Sequence, residues 1–193
     1  MNVHRTDQRP RQPALLDAGT SQLVLVDYQA RLMPAIHDHA SIVRNAVRLA
    51  QLAGALDIPI LATEQSPAKL GPNVPEVLEA SAATIAKTHF NAYPDGLREP
   101  VQRYLAGGRT QVVIAGCEAH VCLLQTALGL LAEGLDVWVV ADACGSRSEH
   151  NQTAAMQRLQ DAGATLVTTE MVGFEWVRTA EHPRFKELQA LIR

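Results

Sequence analysis

The amino-acid sequence predicts an α/β fold, a three-layer, doubly wound six-stranded parallel sheet flanked by helices, and two observations carry that expectation. Six short apolar runs rich in β-branched residues recur along the chain, separated by stretches with helical periodicity. The runs are continuously apolar instead of alternating, as strands buried on both faces are. Parallel neighbours need crossover helices of one hand, so this alternation folds into a sheet with helices on either side.

Taken in order, the first 17 residues combine Arg5, Arg9 and Arg11 with Asp7, Pro10 and Pro13 and lack the apolar core of a secretory signal. They are expected to be a flexible tail ahead of one domain over 18–193, since 193 residues suit a single core better than two. The first strand is expected at 23–26 (LVLV). A helix follows over 41–56, where Ile42, Val43, Ala46, Leu49, Ala50 and Ala53 form one apolar stripe. The second strand is placed at 58–62 (IPILA). Residues 64–76 hold Gly71 and three prolines and are expected to form a long surface loop. Strands at 84–86 (TIA) and 112–115 (VVIA) precede a helix over 120–133, stopped by Gly134. After a strand at 137–141 (VWVVA), Ser148 caps a helix over 149–162 that ends at Gly163. The sixth strand is 165–168 (TLVT). Beyond it, an apolar segment with Phe174, Trp176 and Val177 docks on the sheet or on another subunit, and His182-Pro183 restarts a final helix.

Bulk properties narrow the function. A formal net charge of -3 offers no broad basic surface for nucleic acid or anionic lipid. No apolar stretch approaches the roughly 18 to 20 residues of a membrane span. Three cysteines, an odd number, argue against a disulfide framework and for a reducing, cytoplasmic setting, although spacing leaves a Cys117–Cys122 disulfide open.

Ligands of open α/β sheets bind beyond the carboxyl ends of the strands, which selects Asp27, Glu64, Lys87, the 116–122 turn and Asp142. Cys122 opens an apolar helix, where the macrodipole and unpaired N–H groups favour thiolate, making it the nucleophile candidate. The same N–H groups suit an oxyanion. Asp27 can take the thiol proton and Lys87 can stabilise anions. Glu64 and Gln65 are expected to read a polar substrate group, with Phe90 and Tyr93 as pocket walls. Blander roles weigh against each: Asp27 as a turn cap, Lys87 as a solvated charge, Glu64 as a loop closer, the aromatics as core. Cys117 and Cys144 read as small buried hydrophobes. His37-Asp38-His39 lacks two further ligands at metal spacing, so no metal is expected. His89 and His120 flank the site, and Asp142 is expected to pair with Arg147 across its turn. No glycine-rich phosphate loop follows a strand, which leaves nucleotide binding without support.

The segments LVLVDYQ, IAKTHF and GCEAHVCLLQTAL together resemble, in order, the Asp, Lys and Cys motifs of the isochorismatase-like cysteine hydrolase superfamily. TEQSP, LGPNVPE, DACGSRS and HPRFKELQALI further resemble isochorismatase domain-containing proteins. The resemblance covers nearly the whole chain from about residue 21. It implies strand order 3-2-1-4-5-6, Asp27 as general base, Lys87 as cationic partner and Cys122 as nucleophile. It also implies a cis peptide between Glu118 and Ala119 that aims the amides of Glu118 and Cys122 at the oxyanion. A homo-oligomer acting on a small molecule without a cofactor is implied as well. Isochorismatases, which cleave a vinyl ether, generally lack this cysteine, so retention of Cys122 resembles the branch that cleaves amide-like C–N bonds through a thioester. Nicotinamidases carry an Asp-x-His metal motif where this chain reads Thr63-Glu64-Gln65. Two alternatives stand beside the amide hydrolase: vinyl-ether hydrolysis, and a degenerate, non-catalytic binding or interaction subunit.

Overall fold

The structure, a computed structural model, describes residues 14–192. Six strands form one parallel sheet: β1 Ser21–Val26, β2 Ile60–Gln65, β3 Ala83–Lys87, β4 Gln111–Gly116, β5 Asp136–Val140 and β6 Thr165–Val167. Their order is β3-β2-β1-β4-β5-β6 with every pairing parallel. Every residue of β1, β2 and β4 is buried, as the unbroken apolar runs require when helices cover both faces.

The connecting helices are α1 His39–Ala55, α2 Pro67–Leu70, α3 Pro75–Ala80, α4 Arg98–Ala106, α5 Leu124–Ala132 and α6 Glu149–Asp161, and α7 Thr169–Val177 and α8 Phe185–Ile192 follow the last strand. α1 packs with α3, α7 and α8, and α5 packs with α6, giving the outer layers. Ser148 caps α6 by accepting from the Asn151 N–H, and Gly134 and Gly163 take the left-handed conformation just past α5 and α6. The segment around Trp176 is α7, capped by Thr168 and docked by a 2.9 Å hydrogen bond from Trp176 Nε1 to Ser21 Oγ.

Three expectations are corrected. The loop assigned to 64–76 is shorter: β2 continues through Thr63, Glu64 and Gln65, and prolines open α2 and α3 at their first turns, where the missing N–H costs nothing. α4 was not expected, because Arg98–Ala106 shows solvent mostly polar side chains and buries Val101 as its anchor. The part of the tail that is described, 14–17, is docked: Leu16 is buried and donates its N–H to Glu175, and Asp17 donates to Gln111. The rest of that tail lies outside the described residues.

Where β1 and β4 meet, the sheet reverses its winding and opens a crevice. Gly116 closes β4 against Val26, its backbone so near that a Cβ would lie 2.3 Å from the Val26 carbonyl oxygen. The strand ends on either side of this contact carry the site.

Candidate active site

Asp27 follows β1 directly and adopts φ 54°, a left-handed conformation that Asp tolerates better than most residues with a Cβ. Register then decides its company. Val26 lies opposite Thr63 on β2, and Gln65 lies opposite Lys87 on β3, so three neighbouring strands deliver side chains to one point. Thr63 Oγ1 donates to Asp27 Oδ1 at 2.6 Å, and Lys87 Nζ donates to Asp27 Oδ2 at 2.8 Å. Both charged side chains are 0% exposed, so each ion depends on the other for its solvation.

Lys87 Nζ also donates to Gln65 Oε1 at 2.7 Å, and Gln65 Nε2 donates to the Thr88 carbonyl at 2.7 Å. Buried Gln29 holds the Gln65 backbone from both sides, accepting from its N–H at 2.8 Å and donating to its carbonyl at 3.1 Å.

Cys122 lies in a widened helical turn, Ala119–Leu123, that leads from β4 into α5. Its residue is 5% exposed and its Sγ stands 3.9 Å from Gln65 Oε1. Burial, reinforced by the negative charge of Asp27 and opposed by Lys87, pushes the thiol up to about 12. This corrects the expectation of a resting thiolate: desolvation and a neighbouring carboxylate outweigh the helix end and the ammonium. Cys122 thus rests as a neutral thiol near the Asp27 carboxylate.

The cis peptide lies one residue earlier than expected, between Cys117 and Glu118 and not between Glu118 and Ala119. Cys117 is still paired in sheet fashion with Gly145, and Ala119 already belongs to the helical turn and donates to the Gly145 carbonyl. The reversal therefore falls on the bond leaving Cys117. The 145–147 loop grips this turn: Arg147 Nε donates to Glu118 Oε2 at 3.0 Å, and Ser146 Oγ lies 2.9 Å from His120 Nδ1. Arg147 is thus engaged with Glu118, correcting its expected pairing with Asp142, whose Oδ1 accepts instead from the N–H and hydroxyl of Thr169.

Of the expected substrate contacts, Gln65 is in the site. Glu64 closes a loop by accepting from the Asn73 N–H at 2.8 Å. Tyr93 is a core residue whose hydroxyl accepts from Gln102, which replaces its expected place on a pocket wall. Phe90 is 49% exposed. His89 pairs with Asp95, whose carboxyl is held well below the usual range by the backbone N–H groups of His89 and Thr88. All three cysteines are free, which settles the Cys117–Cys122 question. Among the described residues no group of His, Cys, Asp and Glu is arranged to hold a metal ion. Thr63 and Gln29 were missed. Their signal was faint: two neutral polar residues beside otherwise apolar strand ends.

Relatives share this architecture. The isochorismatase domain family model matches residues 21–171. Isochorismatase domain-containing protein 2A of Mus musculus is 42% identical over 177 residues, 90% of this chain and 83% of the mouse protein. A Caenorhabditis elegans structure described as MAR1 ribonuclease gives a TM-score of 0.85 at 36% identity, covering 93% of this chain and 92% of that one. Escherichia coli YcaC, described as an octameric hydrolase of unknown specificity, gives 0.81 at 30% identity, covering 92% and 96%. YcaC from Pseudomonas aeruginosa, solved with hexane-2,5-diol and covalent acrylamide, gives 0.83 at 29%, covering 92% and 90%. By fold, strand order and sequence, the chain belongs to the isochorismatase domain family.

Proposed function

We propose that this family member is a cysteine hydrolase that cleaves a small amide-like C–N bond through a thioester on Cys122. The observation that carries the reading is the fully buried Asp27–Lys87 ion pair, whose two charges both act on the Cys122 thiol. Asp27 takes the thiol proton as Sγ bonds to the carbonyl carbon, because a free thiolate is disfavoured before substrate arrives. The C–N bond then breaks and Asp27 returns that proton to the departing nitrogen. Water, giving a proton to Asp27, attacks the thioester; the carboxylic acid leaves and the sulfur recovers its proton. Lys87 stabilises negative charge throughout, and the backbone amides of Glu118 and Cys122 are proposed to receive the oxyanion. Gln65 and Phe90 are the residues proposed to meet the substrate. The chemistry needs no cofactor. A homo-oligomer in the cytoplasm belongs to the same reading, since the Escherichia coli relative is described as octameric.

Acrylamide is attacked by nucleophiles at its alkene and keeps its amide, so its covalent presence in the Pseudomonas aeruginosa relative supports a reactive nucleophile within reach of a small carboxamide in this fold, and the amide cleavage rests on the residues alone. The test is a panel of small amides, ureas and carbamoyl compounds, with RNA added because the Caenorhabditis elegans relative is described as a ribonuclease. Turnover of at least one amide is expected, falling by about a thousandfold or more in Cys122→Ala, as loss of a nucleophile entails. Amide hydrolysis that survives this substitution overturns covalent catalysis on Cys122; inertness across the panel, with RNA also untouched, overturns the amide reading and favours the non-catalytic subunit or the vinyl-ether alternative.

A further inference from the structure

Gln65 occupies a position that a mere substrate contact does not need. Its side-chain oxygen accepts from Lys87 Nζ at 2.7 Å and faces the Cys122 sulfur at 3.9 Å, so one atom touches both Lys87 and Cys122. The orientation of the amide is dictated by chemistry: an ammonium has donors alone, so the oxygen must face it, and the Nε2 side must find an acceptor elsewhere. That acceptor is the Thr88 carbonyl at 2.7 Å, just past the end of β3. Gln29, itself buried, clamps the Gln65 main chain and donates at 2.6 Å to the Gly71 carbonyl, tying the assembly to the loop after α2. The side chain thus links the end of β3 to the Cys122 turn, while Gln29 fixes its main chain.

We infer that Gln65 is a positioning residue that divides the Lys87 ammonium between Asp27 and Cys122. With two acceptors, Lys87 is held off-centre from Asp27 and toward the sulfur. With Gln65 removed, the ammonium settles on the carboxylate alone, which weakens Asp27 as a base and withdraws positive charge from the developing thiolate. Both consequences slow attack by the sulfur. The inference rests on the reading of Cys122 as nucleophile and deepens it.

Because the substrate is unidentified, iodoacetamide serves as the probe and the rate of Cys122 alkylation against pH is the readout, resolved from Cys117 and Cys144 by peptide mass. Gln65→Met keeps length and loses the oxygen; a rate about tenfold lower at each pH from 7 to 9 is expected. Gln65→Glu keeps an oxygen on Lys87 but sets a negative charge beside the sulfur, so its rate is expected to fall at least as far. Circular dichroism checks that each variant folds, and if Gln65→Met does not, Gln65→Asn, which draws the oxygen back from Lys87, takes its place with the same loss expected. Wild-type labelling with an unchanged pH curve in the folded variants overturns the role of Gln65 alone. Absence of label on Cys122 in the wild type overturns the nucleophile reading and this inference together.

Discussion

Asp27 and Lys87 lie where neither would be tolerated alone. An ion pair taken wholly out of water adds little net stability compared with apolar residues of the same shape, but removing one partner strands the other. Lys87→Met is therefore expected to lower stability by about 3–5 kcal/mol, measured by urea unfolding at neutral pH. The double variant Asp27→Asn/Lys87→Met should recover much of that loss, since the orphan charge is gone. A loss below about 1 kcal/mol in the single variant would mean that water reaches the pair, as at exposed ion pairs. The sequence made these two residues visible because each closes an apolar run and both occur with Cys122, a combination that outweighs the turn-cap and solvated-charge readings open to either alone. Thr63 and Gln29 were hidden for the opposite reason. A neutral side chain whose hydrogen bonds are satisfied inside looks, in one dimension, like any other loop residue.

The strands set how closely these side chains can meet. Gly116 is the contact on which β1 and β4 converge, and a Cβ there would lie 2.3 Å from the Val26 carbonyl oxygen and 2.5 Å from its Cβ. Neither atom belongs to a flexible side-chain end, so the strands themselves would have to part. Gly116→Ala is expected to cost about 3 kcal/mol or more, at the upper end of overpacking penalties, and to reduce Cys122 alkylation by displacing the turn that follows. Thermal unfolding and the iodoacetamide rate measure both, and an unchanged melting temperature would refute the contact. The extents of strands were less legible than their existence. β2 was placed over 58–62 and runs over Ile60–Gln65, because hydropathy stops at Ala62 whereas burial continues through residues that are polar and internally bonded. α4 escaped for want of an apolar stripe, whereas α1 and α6, with stripes or caps, were found within about two residues of their bounds.

At the scale of the whole molecule, three thiols are buried and each is pushed upward, Cys122 and Cys144 to about 12 and Cys117 also well above the ordinary 9.0, in every case chiefly by burial. Between pH 9 and 12 the unfolded chain releases these protons while the folded chain keeps them. The unfolded state then binds fewer protons, so stability falls as pH rises through that window, by up to roughly 1.4 kcal/mol per pH unit for each thiol. Tyr28, raised well above 10.0 by burial, adds to the same trend at the upper end. Urea midpoints should decline from pH 8.5 to pH 10.5, and decline less in Cys122→Ala. A flat profile would contradict the burial of the thiols. The doubly wound architecture was legible from buried runs alone, but the strand order was not, since composition says which runs are interior and not which are adjacent. That order came from resemblance, and it is what brings β3 into the chemistry.

The placement of β3 has a consequence for how the protein ages under stress. It is an outermost strand, bonded to β2 along one edge, and all of it but Lys87 is at least partly open to solvent. Fraying begins at such margins, where little apolar surface holds the backbone down. The ammonium group thus rides on an outer rail of the sheet while its carboxylate partner follows an inner one. Gentle heating or mild denaturant would draw Lys87 away from Asp27 before the central strands give way, leaving a sample that keeps its spectrum and has already lost its buried ion pair.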